Sequence, residues 1–119
     1  MAAGEPAADC LFCKIVAGDV PATVIRETKD IVAFADINPQ APVHILVIPR
    51  AHHANAGELG AAEPELAGKL LAEAAAVAAD QGLDGGYRLV FNTGAGAGQT
   101  VFHVHAHLLG GRGLTWPPG

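Results

Sequence analysis

Charge is scarce in this chain of 119 residues: Asp, Glu, Lys and Arg make up 16 % of it, and the net charge is −5. With few basic side chains and an acidic balance, a nucleic-acid backbone is argued against as the main partner. A small bound anion stays open, since local backbone N–H donors suffice for one. Aromatic residues are 5 % of the chain, and alanine inflates the apolar half, so large core side chains are few. No apolar run approaches the ~18–20 residues needed to span a membrane, and no membrane partner is expected. The stretch from Met1 to Asp9 lacks the basic-then-apolar build of a secretion signal. It is expected to be a short disordered arm (residues 1–9) ahead of a single domain (10–119). Cysteine is almost absent: the only two are Cys10 and Cys13. That spacing suggests metal or redox chemistry in a reducing, cytoplasmic setting, not a structural disulfide.

The pattern of what remains is α+β. A short helix is expected from Cys10 to Ala17, capped by Asp9 and closed by Gly18, with Leu11, Phe12 and Ile15 as its apolar side. Strands are expected over Thr23–Glu27 and Ile31–Asp36, and over Val43–Pro49, whose almost unbroken apolar character marks it as central. Leu59–Ala62 reads as the lead into one long helix from Pro64 to Asp80. Its stripe of Leu66, Leu70, Ala74, Val77 and Ala78 carries nothing chemical and reads as cover for the sheet. A strand over Tyr87–Asn92, a glycine-rich loop, and a last strand complete an antiparallel sheet with one long and one short helix. With so few large side chains, such a sheet is expected to bury an edge or face in a dimer.

The last strand holds the residues that most need explaining. His103, His105 and His107 alternate with apolar residues. In a strand they line one face about 6.5–7 Å apart, with Phe102, Val104, Ala106 and Leu108 on the core side. A row of imidazoles offers metal ligands, a nucleophile, or proton transfer near neutral pH. The loop Asn92–Gln99 ahead of it has alternating glycines, which let backbone N–H groups turn toward an oxyanion, although a plain hairpin loop has the same look. Thr100 adds a hydroxyl beside the row. A nucleophilic imidazole needs a free nitrogen and an acceptor for the other one, and the middle histidine, His105, is best flanked for that. His107 and Thr100 then bind phosphoryl oxygens or assist the leaving group. His44 reads either as a supporting partner across the sheet or as a satisfied buried histidine. Cys10 and Cys13 read either as half of a tetrahedral zinc site or as two packed thiols.

His103-Val-His105-Ala-His107-Leu-Leu109 resembles the histidine triad signature, in which each histidine is followed by apolar residues. Phe34-Ala-Asp36-Ile-Asn-Pro-Gln-Ala-Pro42 with His44–Pro49 is similar to another block of that family. Leu109-Gly-Gly-Arg112 and Trp116-Pro-Pro-Gly119 resemble the ending of its Hint branch, the histidine triad nucleotide-binding proteins. The resemblance implies a HIT-like homodimer whose two five-stranded sheets join into one. It implies hydrolysis of purine nucleoside 5′-phosphoramidates, such as adenosine 5′-monophosphoramidate or adenylated lysine. His105 would attack the α-phosphorus to give a nucleotidyl-histidine, with no catalytic metal. By matching position, Asp36 would hold the ribose, Phe12 and Ile37 would lie near the base, and Asn92, Gly98, Thr100 and His107 would surround the phosphate. Thr100 stands where many relatives have serine. The resemblance to bacterial-type relatives also implies a structural zinc on Cys10, Cys13, His52 and His103, which leaves His53 without a role and exposed. Other readings stay open: a nucleotide-binding or scaffold module without turnover, a dinucleoside polyphosphate hydrolase, or a hydrolase in which the three histidines share a zinc with an open position.

Overall fold

In the computed structural model, which describes residues 4–119, the apolar run Val43–Pro49 is the middle of a five-stranded antiparallel sheet. The elements in chain order are α1 (Leu11–Ala17), β1 (Val24–Glu27), β2 (Ile31–Ala35), β3 (Val43–Pro49), α2 (Ala56–Ala62), α3 (Pro64–Asp80), β4 (Arg88–Val90) and β5 (Ala106–Gly110). The strands lie in the order β1-β2-β3-β5-β4. Both faces of β3 are buried, which is why its sequence does not alternate. Ile45 and Val47 join Ile31, Ala33 and Leu108 under α3, while Leu46 and Ile48 join Val32, Phe34 and Phe12 under α1. The sheet is thus a middle layer with the long helix on one side and the short helix and histidines on the other.

The α3 stripe is buried as its spacing requires, from Leu66 to Ala78. Leu70 is 1 % exposed at its centre. Leu70→Ala is expected to lower stability by about 2–5 kcal/mol, from lost burial plus the cavity left behind. Urea unfolding reads this as a lower midpoint at unchanged slope.

Several local features differ from expectation. The cap of α1 is Cys10, not Asp9: its Sγ accepts the Cys13 N–H at 3.3 Å. Cys10 and Cys13 turn inward together, which carries Leu11 outward to 45 % exposure. Gly18 closes the helix at φ 82, as expected. The lead-in to α3 is a helix of its own, since Asn55 Oδ1 accepts the Glu58 N–H at 2.9 Å and starts α2 at Ala56. Pro64 then forbids a helical Glu63, whose φ −141 and ψ 71 separate α2 from α3. The protein therefore has three α-helices among the described residues, not two. Strand β4 is shorter than Tyr87–Asn92, and β5 begins only at Ala106.

His103 and His105 thus precede the paired strand. Their backbone is drawn to the segment after β3, where the Val104 N–H donates to the His53 carbonyl at 2.7 Å. The alternation of faces survives: Val104, Ala106 and Leu108 are in the α3-side core, but Phe102 is 50 % exposed. Of the arm expected over residues 1–9, residues 1–3 lie outside the described residues. Gly4 exchanges two backbone hydrogen bonds with His52, at 3.0 and 3.2 Å.

Candidate functional site

His105 sits where the chain enters β5, 8 % exposed, with its Nδ1 2.8 Å from the His103 carbonyl oxygen. A carbonyl only accepts, so Nδ1 carries the proton and Nε2 is left with its lone pair. Burial pushes the pKa of His105 down, so the neutral form is favoured. The Phe12 ring stands edge-on at 5.1 Å between centroids, and Phe34 stands edge-on behind Phe12 at 5.4 Å.

His107 is organised from the neighbouring strand. Its partner in register is Leu46, which puts it on the same face as His44 two residues away. His44 Nδ1 accepts the Gln40 N–H at 3.0 Å, so the His44 proton is on Nε2. That Nε2–H faces His107 Nδ1 at 2.9 Å and Asp36 Oδ2 at 3.3 Å. His107 therefore accepts at Nδ1 and keeps its own proton on Nε2. Asp36, His44 and His107 lie close enough to suggest a metal cluster, but the Gln40 bond requires a proton on His44 where a metal would need a lone pair. Two neighbouring histidines of the row thus have opposite polarity: a lone pair on His105 and an N–H on His107. Their rings are 4.9 Å apart.

Burial, with the neighbouring His105 and His44, lowers the His107 pKa to about 4 from 6.5. The unfolded chain therefore binds more protons than the folded one between those values. Stability is fully present above pH 6.5 and falls as pH drops toward about 4. Denaturant midpoints measured between pH 7 and 4 are expected to decline across this window, and less steeply in His107→Gln.

A groove of about 350 Å³ opens in front of these side chains. Phe12, Asp36, Ile37, Thr100, His105 and His107 all line it, so the structure brings these sequence-predicted residues together. Its inner wall is apolar, while Asp36 and the imidazoles stand along one side. Asp36 Oδ1 accepts the Asn38 N–H at 2.8 Å, which fixes the carboxylate at the turn after β2. Ile37 is fully exposed. Asn92 and Gly98 lie outside the lining, and His44 stands behind His107.

Sequence reasoning gave no role to Gln99, which is 3 % exposed. Its Oε1 accepts the Gly94 N–H at 2.9 Å, and its Nε2 donates to the carbonyls of Ala54 and Val101 at 2.7 and 3.0 Å. It ties the glycine loop to the segment after β3. A lone amide between glycines and an apolar run was its only signal. His53 is a correction: it is 4 % exposed, not exposed, and donates to Glu63 at 2.5 Å between α2 and α3.

A second cluster lies on the same face. Cys10, Cys13, His52 and His103 bring their ligand atoms within 4.8 Å of one another. His103 Nε2–H donates to the Pro49 carbonyl at 2.8 Å, which leaves its Nδ1 lone pair facing the cluster. Nδ1 is 3.5 Å from each Sγ and 3.2 Å from His52 Nδ1, and His52 Nδ1 is 3.3 Å from Cys13 Sγ. A tetrahedral zinc with Zn–S about 2.3 Å and Zn–N about 2.0–2.1 Å has S···N edges of about 3.5 Å and an N···N edge of about 3.3 Å. The donor set fits such an ion, with four protein ligands and no open position. Burial pushes the Cys10 thiol pKa up, so it takes a cation to hold the thiolate here. No metal-type cluster among the described residues contains all three histidines of the row. A zinc shared by His103, His105 and His107 is therefore not what this arrangement forms.

Comparison with known proteins agrees with this fold. The HIT domain family matches residues 17–114. The "14 kDa zinc-binding protein" of Zea mays is 48 % identical over 111 residues, which is 92 % of this chain and 87 % of that protein. "Adenylylsulfatase HINT1" of Arabidopsis thaliana is 44 % identical over 111 residues, 92 % of this chain and 76 % of that protein. The crystal structure of a HIT family hydrolase from Legionella pneumophila superimposes with a TM-score of 0.90 at 53 % identity, covering 93 % of this chain and 100 % of that one.

Proposed function

This chain belongs to the HIT domain family, and we propose that it is a hydrolase of purine nucleoside 5′-phosphoramidates that acts through a nucleotidyl-histidine intermediate. The observation that carries the reading is the His105 tautomer: Nδ1–H is bound to the His103 carbonyl and Nε2 is free, beside a groove with apolar and acidic walls. The names of the relatives, a HIT family hydrolase and an adenylylsulfatase, support hydrolysis at an adenylyl group.

In this reading the base lies against Phe12 and Ile37, and Asp36 accepts from the ribose hydroxyls. Asn92 and Gly98, though outside the groove lining, complete the phosphate surround when the loop meets the nucleotide. His105 Nε2 attacks the α-phosphorus, the P–N bond breaks, and the amine takes a proton from solvent as it leaves. Positive charge develops on the His105 ring during attack. The Nδ1–H bond to the His103 carbonyl then becomes charge-assisted and tightens in the transition state. His107 stays neutral and donates its Nε2–H to a phosphoryl oxygen, and Thr100 donates its hydroxyl to another. Water then attacks phosphorus and gives a proton to solvent, the P–Nε2 bond breaks to restore neutral His105, and the nucleoside monophosphate is released.

The zinc belongs in this proposal as a structural ion on Cys10, Cys13, His52 and His103. It supplies a cross-link between α1 and the strand ends, not chemistry. A cytoplasmic setting keeps the two thiols reduced. The active form is a homodimer, joined at the open edge of β4, whose ladder partner within the chain is β5. Sedimentation equilibrium is expected to give twice the chain mass, and a single-chain mass would remove the dimer. The decisive chemical test incubates the protein with adenosine 5′-phosphoramidate, adenylated lysine and dinucleoside polyphosphates, quenches early, and maps any labelled adduct. A nucleotidyl group on His105 is expected, and fastest from the phosphoramidates. An adduct elsewhere overturns the assignment.

A further inference from the structure

His103 is shared by the metal set and the groove. Its side chain faces Cys10, Cys13 and His52, while its backbone carbonyl accepts the Nδ1–H of His105 at 2.8 Å. A second connection runs through α1. Phe12 lies between the two cysteines in sequence, and its ring meets His103 at 6.0 Å and His105 at 5.1 Å, edge-on to both. The nucleophile is thus held by a carbonyl and a ring whose own residues are fixed by, or lie between, the four metal-type ligands.

We propose that metal held by Cys10, Cys13, His52 and His103 sets the tautomer and orientation of His105, so that His103 and Phe12 act as positioning residues for the nucleophile. With the ion in place, the His103 ring would be tied at Nδ1 by the metal and at Nε2 by the Pro49 carbonyl, adding to the Val104 N–H bond to His53 that anchors the peptide carrying the His105 acceptor. Without it, the buried ring keeps its Pro49 bond and only weak contacts to the thiols and His52, and seven-residue α1 loses the link that holds Phe12 against His105. The coupling is reciprocal, so an occupied groove must also hold the metal more firmly. The part that concerns the groove's occupant rests on the nucleotide reading above.

The test has two arms on the zinc-loaded full chain. In long-range ¹H–¹⁵N imidazole spectra, His105 is expected as a single Nδ1–H tautomer with zinc. After chelation a second, Nε2–H form is expected in protein that keeps its amide dispersion. In the other arm, the equilibrium partition of zinc between the protein and a chromogenic chelator is measured with and without adenosine plus orthovanadate, a mimic of the phosphorus centre under attack. Zinc affinity is expected to rise about fivefold or more in the wild type and by less in His105→Ala. The partition arm needs no folded metal-free protein, and the spectra need no nucleotide. Calorimetry that shows no binding of adenosine–vanadate strikes the nucleotide reading alone, and the spectra then decide. Identical His105 spectra in folded protein with and without zinc overturn the proposal. So does an equal zinc affinity with and without bound adenosine–vanadate.

Discussion

His105→Ala is expected to lower kcat/KM for adenosine 5′-phosphoramidate by at least about 10⁴-fold, the scale seen when a covalent nucleophile is removed. Nothing nearby can replace it. The neighbouring imidazole of His107 accepts from His44 at Nδ1 and so carries its proton on Nε2, with no lone pair for phosphorus. Thr100 offers only an un-ionised hydroxyl. The fold is expected to tolerate the change, because the lost side chain makes one hydrogen bond, worth about 0.5–1.5 kcal/mol net. Adenosine monophosphate affinity should change little, since Asp36, Phe12 and His107 remain. Steady-state kinetics, a binding isotherm and a thermal melt on one preparation separate these effects. Undiminished turnover sinks the nucleophile assignment. A wild-type protein that binds the monophosphate without measurable turnover would instead be a nucleotide-binding module.

Removal of zinc is expected to lower the thermal midpoint by about 10 °C or more, in proportion to the several kcal/mol that a closed zinc site contributes to folding. Helix α1 has seven residues, too few to persist alone in water. It is held by Phe12 and the two cysteines, and Cys10 is also its cap. Loss of the ion would leave the two thiols and the facing imidazole nitrogens without their charge-bearing partner, keeping only the Pro49 carbonyl and Cys13 N–H bonds, and would loosen the helix and the Phe12 ring. Cys13→Ser is expected to give the same lower midpoint as chelated wild type and to be insensitive to added chelator. Circular dichroism melts with and without chelator, followed by zinc add-back, read both effects. An unchanged midpoint in protein shown free of zinc by elemental analysis would remove the structural role. Turnover that requires an added metal at an open coordination position is not expected, since the four ligands leave none.

Much of this was legible from residue pattern. The stripe on α3, the central β3 and the alternation of histidines with core residues all follow from repeats of 3.6 and 2 residues, which are local. The candidate metal ligands other than the cysteines are different. Nothing local about His52 or His103 marks it as a ligand, and only the resemblance to relatives joined them to Cys10 and Cys13. The separate α2 was readable in retrospect, because Asn55 with Glu58 is a capping pair and Pro64 is a stop. His53 was misjudged because the partner that satisfies it, Glu63, comes from the far end of α2.

By itself, then, the sequence determined the layers of this protein, the face on which its histidines lie, and the family to which it belongs. The tertiary structure alone decided the proton on each ring. That depends on which acceptor or donor the fold places opposite each nitrogen: the Pro49 carbonyl for His103, the His103 carbonyl for His105, and the Gln40 N–H through His44 for His107. Three chemically identical side chains come to present a lone pair at Nδ1, a lone pair at Nε2 and an N–H at Nε2, because a hydrogen bond to one imidazole nitrogen fixes the state of the other.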